Sequence, residues 1–253
     1  MLKALKITPV YLSGKDAWTL QILMLDALGK EVKEHPDLVE GIGTNKLHWS
    51  DLELVRTSLT NLQGLIAKGY VQDSYLSDSY VDAQMALIDG TAAMYPMATW
   101  VAPELAKVTD DKSQLENIGL FTVPGSGKAA PAAITTPWGL GVPAEGKQIE
   151  NAKKAVAELC SPEAAQAMYD VQPGIPFVKG VDGKAIGLQK DATDIINKGS
   201  VVSMPQGMLK YQVSGIETKV QDVLVGNITA QEALKSFDDD IAKLAVDAND
   251  PNW

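Results

Sequence analysis

The sequence predicts an α/β fold, and three observations predict it. Stretches with strand-like and helix-like hydrophobic spacing alternate along the chain. The strand-like stretches are short and mostly apolar, as strands covered on both faces are. With 253 residues, 45% of them hydrophobic, the chain can bury a sizeable core in one large domain or two modest ones.

Taken in order, "MLKALK" reads as the last turn of an amphipathic helix begun earlier, so the chain reads as a fragment. It lacks the long apolar core of a signal peptide, and no apolar run approaches the roughly 18 residues of a membrane span. Residues 7–12 form the first strand. A helix follows in "KDAWTLQILMLDALGKEVKEH", with Asp16 placed to accept the free N–H groups of its first turn. The next, "SDLELVRTSLTNLQGLIAKG", has capping-box spacing from Ser50 to Glu53 and stops at Gly69. "SYVDAQMALIDG" repeats the pattern with Ser79 as cap and Gly90 as stop. Strands are expected in "TAAMY", "NIGLFTV" and "AAITTPWGLGVP". Helices then run over 147–159 and from the cap Ser161 and Pro162. After a loop with Pro173, Gly174 and Pro176, two more cover roughly 206–225 and 230–247, the last opened by Thr229 and Glu232. No internal repeat or low-complexity segment interrupts them.

Charge narrows the function. A net charge of −10 argues against nucleic acid or an anionic membrane as the main partner. Arg56 is the only arginine and lies mid-helix, so bidentate clamping of carboxylate or phosphate has little support and a neutral ligand is favoured. Cys160 is alone, which excludes an intrachain disulfide and a CxxC site, and it reads as a core or boundary thiol. His35 and His48 have no cysteine beside them, so no metal or other cofactor is implied. "VPGSGKAAP" lacks the spacing of a phosphate loop and a hydroxyl after Lys128. The acidic run Asp238–Asp240 reads as a solvated helix face. "NIT" at 227–229 matches a glycosylation sequon, yet a helix cap explains Thr229.

The tryptophans carry more information, in a chain with 6% aromatics. Trp18 follows a strand and a glycine turn, Trp100 follows a strand, and Trp138 follows a proline before "GLGVP". In open α/β proteins ligands bind at strand ends, where an indole offers a flat apolar platform with one N–H donor. A sugar ring has a matching face of C–H groups. Trp49 and Trp253 are assigned to packing.

"ITPVYLSGKDAWTLQ", "ALIDGTAAMYPMATW", "GLFTVPGSG", "ITTPWGLGVP" leading into "SPEAAQAMYD", and "VGNITAQEAL" occur in an order that resembles the extracellular solute-binding proteins, family 1, of bacterial sugar-uptake ABC transporters. The resemblance implies a periplasmic-binding-protein-like (type II) two-lobe α/β fold, incomplete at the N-terminus, that closes on a sugar or oligosaccharide by a hinge motion. Residues 7–134 and 199–253 would form most of the C-terminal lobe and 138–198 the helical remnant of the N-terminal lobe. Ligand binding would fall to Trp18, Trp100, Trp138, Asp16 and Tyr211, the last on a poorly matching segment. The partners implied are the ligand and membrane permease subunits, and the location is extracellular, as a cell-surface lipoprotein or a periplasmic protein. With one wall of the cleft absent, weak or no sugar binding and some self-association are expected of this chain. A carbohydrate-active enzyme using Asp16 and Glu104 as acid and base is the alternative, without supporting spacing. An interaction domain with no small ligand is a third reading.

Overall fold

The computed structural model describes residues 1–124, 131–134 and 139–253. In chain order the elements are α1 (Ile22–Glu31), α2 (Leu38–Gly43), α3 (Glu53–Ala67), α4 (Tyr80–Ile88), α5 (Val101–Leu105), β1 (Ala132–Ile134), α6 (Ile149–Leu159), α7 (Pro162–Val171), α8 (Leu188–Asn197), β2 (Val201–Ser203), α9 (Ile216–Val225) and α10 (Ala230–Asp247), with short 3-10 turns between some of them. The described residues are thus mostly helical with a little parallel sheet. Two compact units divide the chain: Met1–Ala98, Thr122–Ile134 and Gly199–Trp253 make the first, and Thr99–Phe121 and Thr135–Lys198 the second.

The core of the first unit follows from helical spacing. Val55, Leu59 and Leu62 line one face of α3, and Ala233, Leu234, Phe237 and Ile241 line one face of α10. Met24 and Leu28 of α1 and Val220 and Val223 of α9 join them. Trp49, at 1% exposure, packs edge-on against Phe237 with ring centroids 5.4 Å apart. The 3-10 turn holding Trp49 is capped from α10, because the Asp238 carboxylate accepts the Trp49 N–H at 2.6 Å and the Ser50 N–H at 3.1 Å. Asp238 therefore leaves the expected solvated face, whereas Asp240 stays at the surface and pairs with Lys219.

Parallel pairing organises the same unit. β1 and β2 pair in register from Ala132–Val201 to Ile134–Ser203. The predicted strand 7–12 is extended and paired on both sides by single parallel bridges, Thr8 to Ala92 and Val10 to Val71. Val10 N–H donates to Tyr70 O, Thr8 N–H to Thr91 O and Tyr11 N–H to Met94 O, at 2.8–3.0 Å. Segment 7–12 is therefore central, with 70–71 on one edge and 91–94 on the other.

Several local expectations hold. Ser79 caps α4 and Gly90 ends it at a positive φ, Ser161 caps α7, and Thr229 and Glu232 make a reciprocal capping box on α10. Others fail for identifiable reasons. The helix expected from residue 15 begins as a 3-10 turn, Ala17–Gln21, whose first N–H groups take no bond from the Asp16 side chain. Ser50 and Glu53 form no capping box: the Leu54 and Val55 N–H groups donate to the buried Glu31 carboxylate at 2.5 and 3.3 Å. Residues 206–225 do not form one helix, because the Gln212 amide donates back to the carbonyls of Gln206 and Leu209 and α9 starts only after Gly215, at φ 69°. In the second unit Leu120 N–H donates to the Asp191 carboxylate at 2.7 Å, and the expected strand 117–123 has no ladder partner among the described residues. Cys160, at the end of α6, is exposed and not a core thiol. The glycine loop 125–130 and the stretch 135–138 of the third expected strand lie outside the described residues.

Burial pushes the Glu31 carboxyl above its usual range, and the two N–H donors and His35 pull it back. Glu31→Ala leaves two N–H groups at the start of α3 without acceptors and is expected to cost about 2 kcal/mol in urea unfolding at pH 7. Glu31→Gln keeps an acceptor oxygen and is expected to stay within about 1 kcal/mol of the parent. Equal losses in the two variants would show that the cap is not what Glu31 contributes.

Candidate functional site

The central segment 7–12 sets the position of the site. Its neighbours lie in the order 70–71, 7–12, 91–94, so the chain leaves it toward one edge and later returns to the other. In open α/β proteins the carboxyl ends of strands whose order reverses in this way are where ligands bind, which here are the ends of 7–12 and 91–94. Ser13 follows the first of these segments and Tyr95 the second, and their hydroxyls meet at 2.6 Å.

Buried hydroxyls continue inward from that contact. Ser13 Oγ donates to Thr19 Oγ1 at 3.0 Å, and Thr19 Oγ1 donates to the Ser13 carbonyl at 2.9 Å. Since the Ser13 and Thr19 hydrogens are committed, the Tyr95 hydroxyl is the donor to Ser13. Burial pushes the Tyr95 phenol well above the ordinary tyrosine range, which keeps that donor protonated. Thr19 and Leu20 anchor the 3-10 turn at 4% and 2% exposure, and the same turn leaves Trp18 at 37%.

Three aromatic rings line this corner. Trp18 meets Tyr80, the first residue of α4, in an edge-on contact with centroids 5.2 Å apart and planes at 63°. Tyr80 lies 6.3 Å from Tyr95 at 42°. Such edge and tilted pairs are favourable ring geometries. The loop 13–16 is also strapped to the loop before α4: Gly14 N–H donates to Tyr75 O at 2.6 Å, Lys15 N–H to Asp78 O at 3.1 Å, and Tyr80 N–H to Asp16 Oδ2 at 2.6 Å. Asp78 accepts from the Tyr11 hydroxyl, the Gln72 amide and Ser74 at 2.7–3.0 Å, tying the loop before α4 to segment 7–12.

Trp18 and Asp16 therefore stand together in the first unit. Trp100 belongs to the second unit, where it precedes α5 with 44% of its surface exposed while Val101 and Leu105 behind it are buried. Trp138 lies outside the described residues. The Tyr211 hydroxyl donates to Asp250 at 2.7 Å, and Asp250 also accepts from Lys210 at 2.6 Å and from Asn252. Glu104, the partner of Asp16 in the enzyme alternative, falls in the other unit and pairs with Lys107 at 2.6 Å. Arg56 is exposed on α3 and pairs with Glu53. Two surface depressions of about 340 and 180 Å³ lie elsewhere in the first unit, around Asn227 and around Lys3 and Lys6, and neither is lined by Trp18 or Asp16. Among the described residues no group of three His, Cys, Asp or Glu side chains could hold a metal ion.

Tyr80, Tyr95 and Ser13 were not singled out from the sequence. Their positions were readable there, since Ser79 as a cap puts Tyr80 in the first turn of a helix and "TAAMY" ends on Tyr95.

The family model for bacterial extracellular solute-binding proteins matches residues 2–166. The chain belongs to that family. Its members bind solutes and are not catalysts, which removes the enzyme alternative. A multiple sugar-binding protein of Streptococcus mutans is 30% identical over 187 residues, which are 71% of this chain and 43% of that protein. Among solved structures, a chitin oligosaccharide binding protein matches with a TM-score of 0.72 at 21% identity, over 96% of this chain and 61% of the other. A sugar transporter from Bacillus licheniformis in complex with stachyose matches with a TM-score of 0.67 at 13% identity, over 96% of this chain and 62% of the other. The chain thus shares the fold of solute-binding proteins while spanning 43% of the curated relative and about three fifths of the matched structures.

The hydrogen bonds from Lys210, Tyr211 and Asn252 hold the Asp250 carboxyl far below the usual carboxylate range. The stability it contributes is present above the ordinary aspartate value of about 3.9 and is lost as the pH falls below it. Thermal melts at pH 5 and pH 3 are expected to show a smaller drop in Tm for Asp250→Asn than for the parent; an equal drop would remove Asp250 as a source of acid sensitivity.

Proposed function

We propose that this protein is the sugar-binding component of an ABC importer and takes a neutral oligosaccharide on the aromatic corner around Trp18. The observation that carries the reading is a half-exposed indole on a buried anchor, at the carboxyl ends of two parallel segments where their order reverses. Membership of the solute-binding family, and the sugars named for its relatives, support the same ligand class. The single arginine, occupied on α3, favours a neutral ligand over an anionic one.

In this reading Trp100 is a second platform, carried by the other unit, and Trp138 a third. Residues 7–134 and 199–253 are read as most of the C-terminal lobe, with the difference that Thr99–Phe121, which carries Trp100, groups with the second unit. Asp16 and Tyr211 complete the candidate set, although the hydroxyl of Tyr211 is already engaged by Asp250. Among the described residues no helix is long and apolar enough to cross a membrane. Export to the cell surface or periplasm and docking to membrane permease subunits accord with the extracellular family.

The size of the effect can be set from area. With 37% of Trp18 exposed, about 90 Å² of indole is open to a sugar face, which corresponds to about 2 kcal/mol. Isothermal titration against raffinose, stachyose and chitin oligosaccharides is expected to find weak binding that Trp18→Ala weakens further by about 30-fold, in a variant that circular dichroism shows to be folded at the titration temperature. The recovered sugar should be unchanged on product analysis. Absence of binding to every neutral oligosaccharide, or a Trp18→Ala variant of parental affinity, would overturn the reading.

A further inference from the structure

We infer that Asp16 is a positioning residue: it acts on the binding surface through the backbone of α4, by holding Tyr80 against the edge of Trp18. The inference rests on the sugar-binding reading above. Asp16 sits two residues before Trp18, and its Oδ2 accepts the Tyr80 N–H at 2.6 Å, across 64 positions of sequence. A helix's first N–H groups have no partner within the helix, so an acceptor from outside fixes where that helix begins. A carboxylate at that end also faces the positive end of the helix dipole.

The start of α4 already has its own capping box. Ser79 Oγ accepts the Asp82 N–H at 3.2 Å, and the Asp82 carboxylate takes the Ser79 N–H and hydroxyl, both at 2.7 Å. Asp16 is therefore not the cap that makes α4 helical. What it adds is a tie between two loops, and the residue it grips is the one whose ring meets Trp18 at 5.2 Å. The tie is short and local, because Gly14 N–H already reaches Tyr75 O at 2.6 Å. A side chain at Gly14 would place its Cβ 2.7 Å from that carbonyl oxygen, so only glycine lets the loops approach this closely.

A carboxylate beside a tryptophan platform invites a different assignment, direct hydrogen bonding to sugar hydroxyls. The two roles make opposite demands on the amide replacement. Asp16→Asn keeps an oxygen that can accept the Tyr80 N–H, whereas a direct charged contact to sugar loses its strength in the amide. Asp16→Ala removes both.

The test compares the parent with Asp16→Ala, Asp16→Asn and Gly14→Ala by hydrogen exchange at the Tyr80 amide, near-ultraviolet circular dichroism of the ring pair, and titration with raffinose. In Asp16→Ala the Tyr80 amide is expected to exchange at least tenfold faster and affinity to fall about tenfold. Asp16→Asn is expected to stay within about threefold of the parent in both. Gly14→Ala parts the loops without changing Asp16 and is expected to weaken binding as well, which covers the case of an Asp16→Ala variant that fails to fold. Loss of affinity in Asp16→Asn equal to that in Asp16→Ala, with Tyr80 exchange unchanged, would overturn the inference in favour of direct contact. Unchanged Tyr80 exchange in Asp16→Ala would overturn it outright. If the parent binds no sugar, the functional reading falls on its own, and the exchange and dichroism data still decide whether Asp16 holds Tyr80 to Trp18.

Discussion

Segment 7–12 is paired on both sides, and most of what the first unit does depends on that pairing. Val10 and Leu12 are buried within the core, while the segment's N–H groups are taken by Tyr70, Thr91, Met94 and the Gln72 side chain. The Gln72 amide meets both the N–H and the carbonyl of Leu12, at 3.2 and 2.5 Å, and so extends the ladder by a side chain where backbone pairing ends. Beyond Leu12 the chain can no longer be held by strand bonds. It is held by the Ser13, Thr19 and Tyr95 hydroxyls and by the strap to the loop before α4. Removing the central segment would take away the floor on which every one of those contacts stands.

Local chemistry was legible in the sequence, and long-range chemistry was not. The caps Ser79, Ser161 and Thr229 could be read because their partners lie three residues away and the competing conformations are few. The cap of α3 could not. Its acceptor is Glu31, more than twenty positions earlier, so the Ser50–Glu53 spacing gave a false local answer. Asp238 likewise looked solvated from its neighbours, and only the fold brings Trp49 and Ser50 to it. Segment 117–123 has the apolar character of a strand, yet Asp191 takes its Leu120 N–H. Apolar character reports burial, and a ladder needs a partner that composition cannot name.

The candidate site shows the same division. Trp18 stands out as a candidate because a large aromatic after a strand and a glycine turn is not needed by either element. Asp16 stands out too, by spacing as a cap in its own turn and by the family resemblance as a ligand-binding residue, and the fold directs its carboxylate to the start of another helix. Tyr80 and Tyr95 enter only through contacts that join positions 13, 18, 80 and 95. Residue type and spacing point to the candidate Trp18, while the side chains that touch it and its turn are distributed over segments whose proximity is a property of the sheet.

Comparison of Trp18 with Trp49 explains why the first is read as a binding surface. Both occupy 3-10 turns, and both meet another aromatic ring edge-on at similar centroid distances, 5.2 Å for Trp18 and 5.4 Å for Trp49. Trp49 is 1% exposed, and its own backbone is bonded to α10, so its indole is the packing that joins that turn to the helix. In the Trp18 turn that work is done by Thr19 and Leu20, which are buried behind the indole. Exposing about 90 Å² of indole forgoes about 2 kcal/mol of burial that folding could have captured. A turn already anchored by its neighbours gains nothing from that exposure in the folded protein alone. The free energy becomes available only when another apolar face covers the ring.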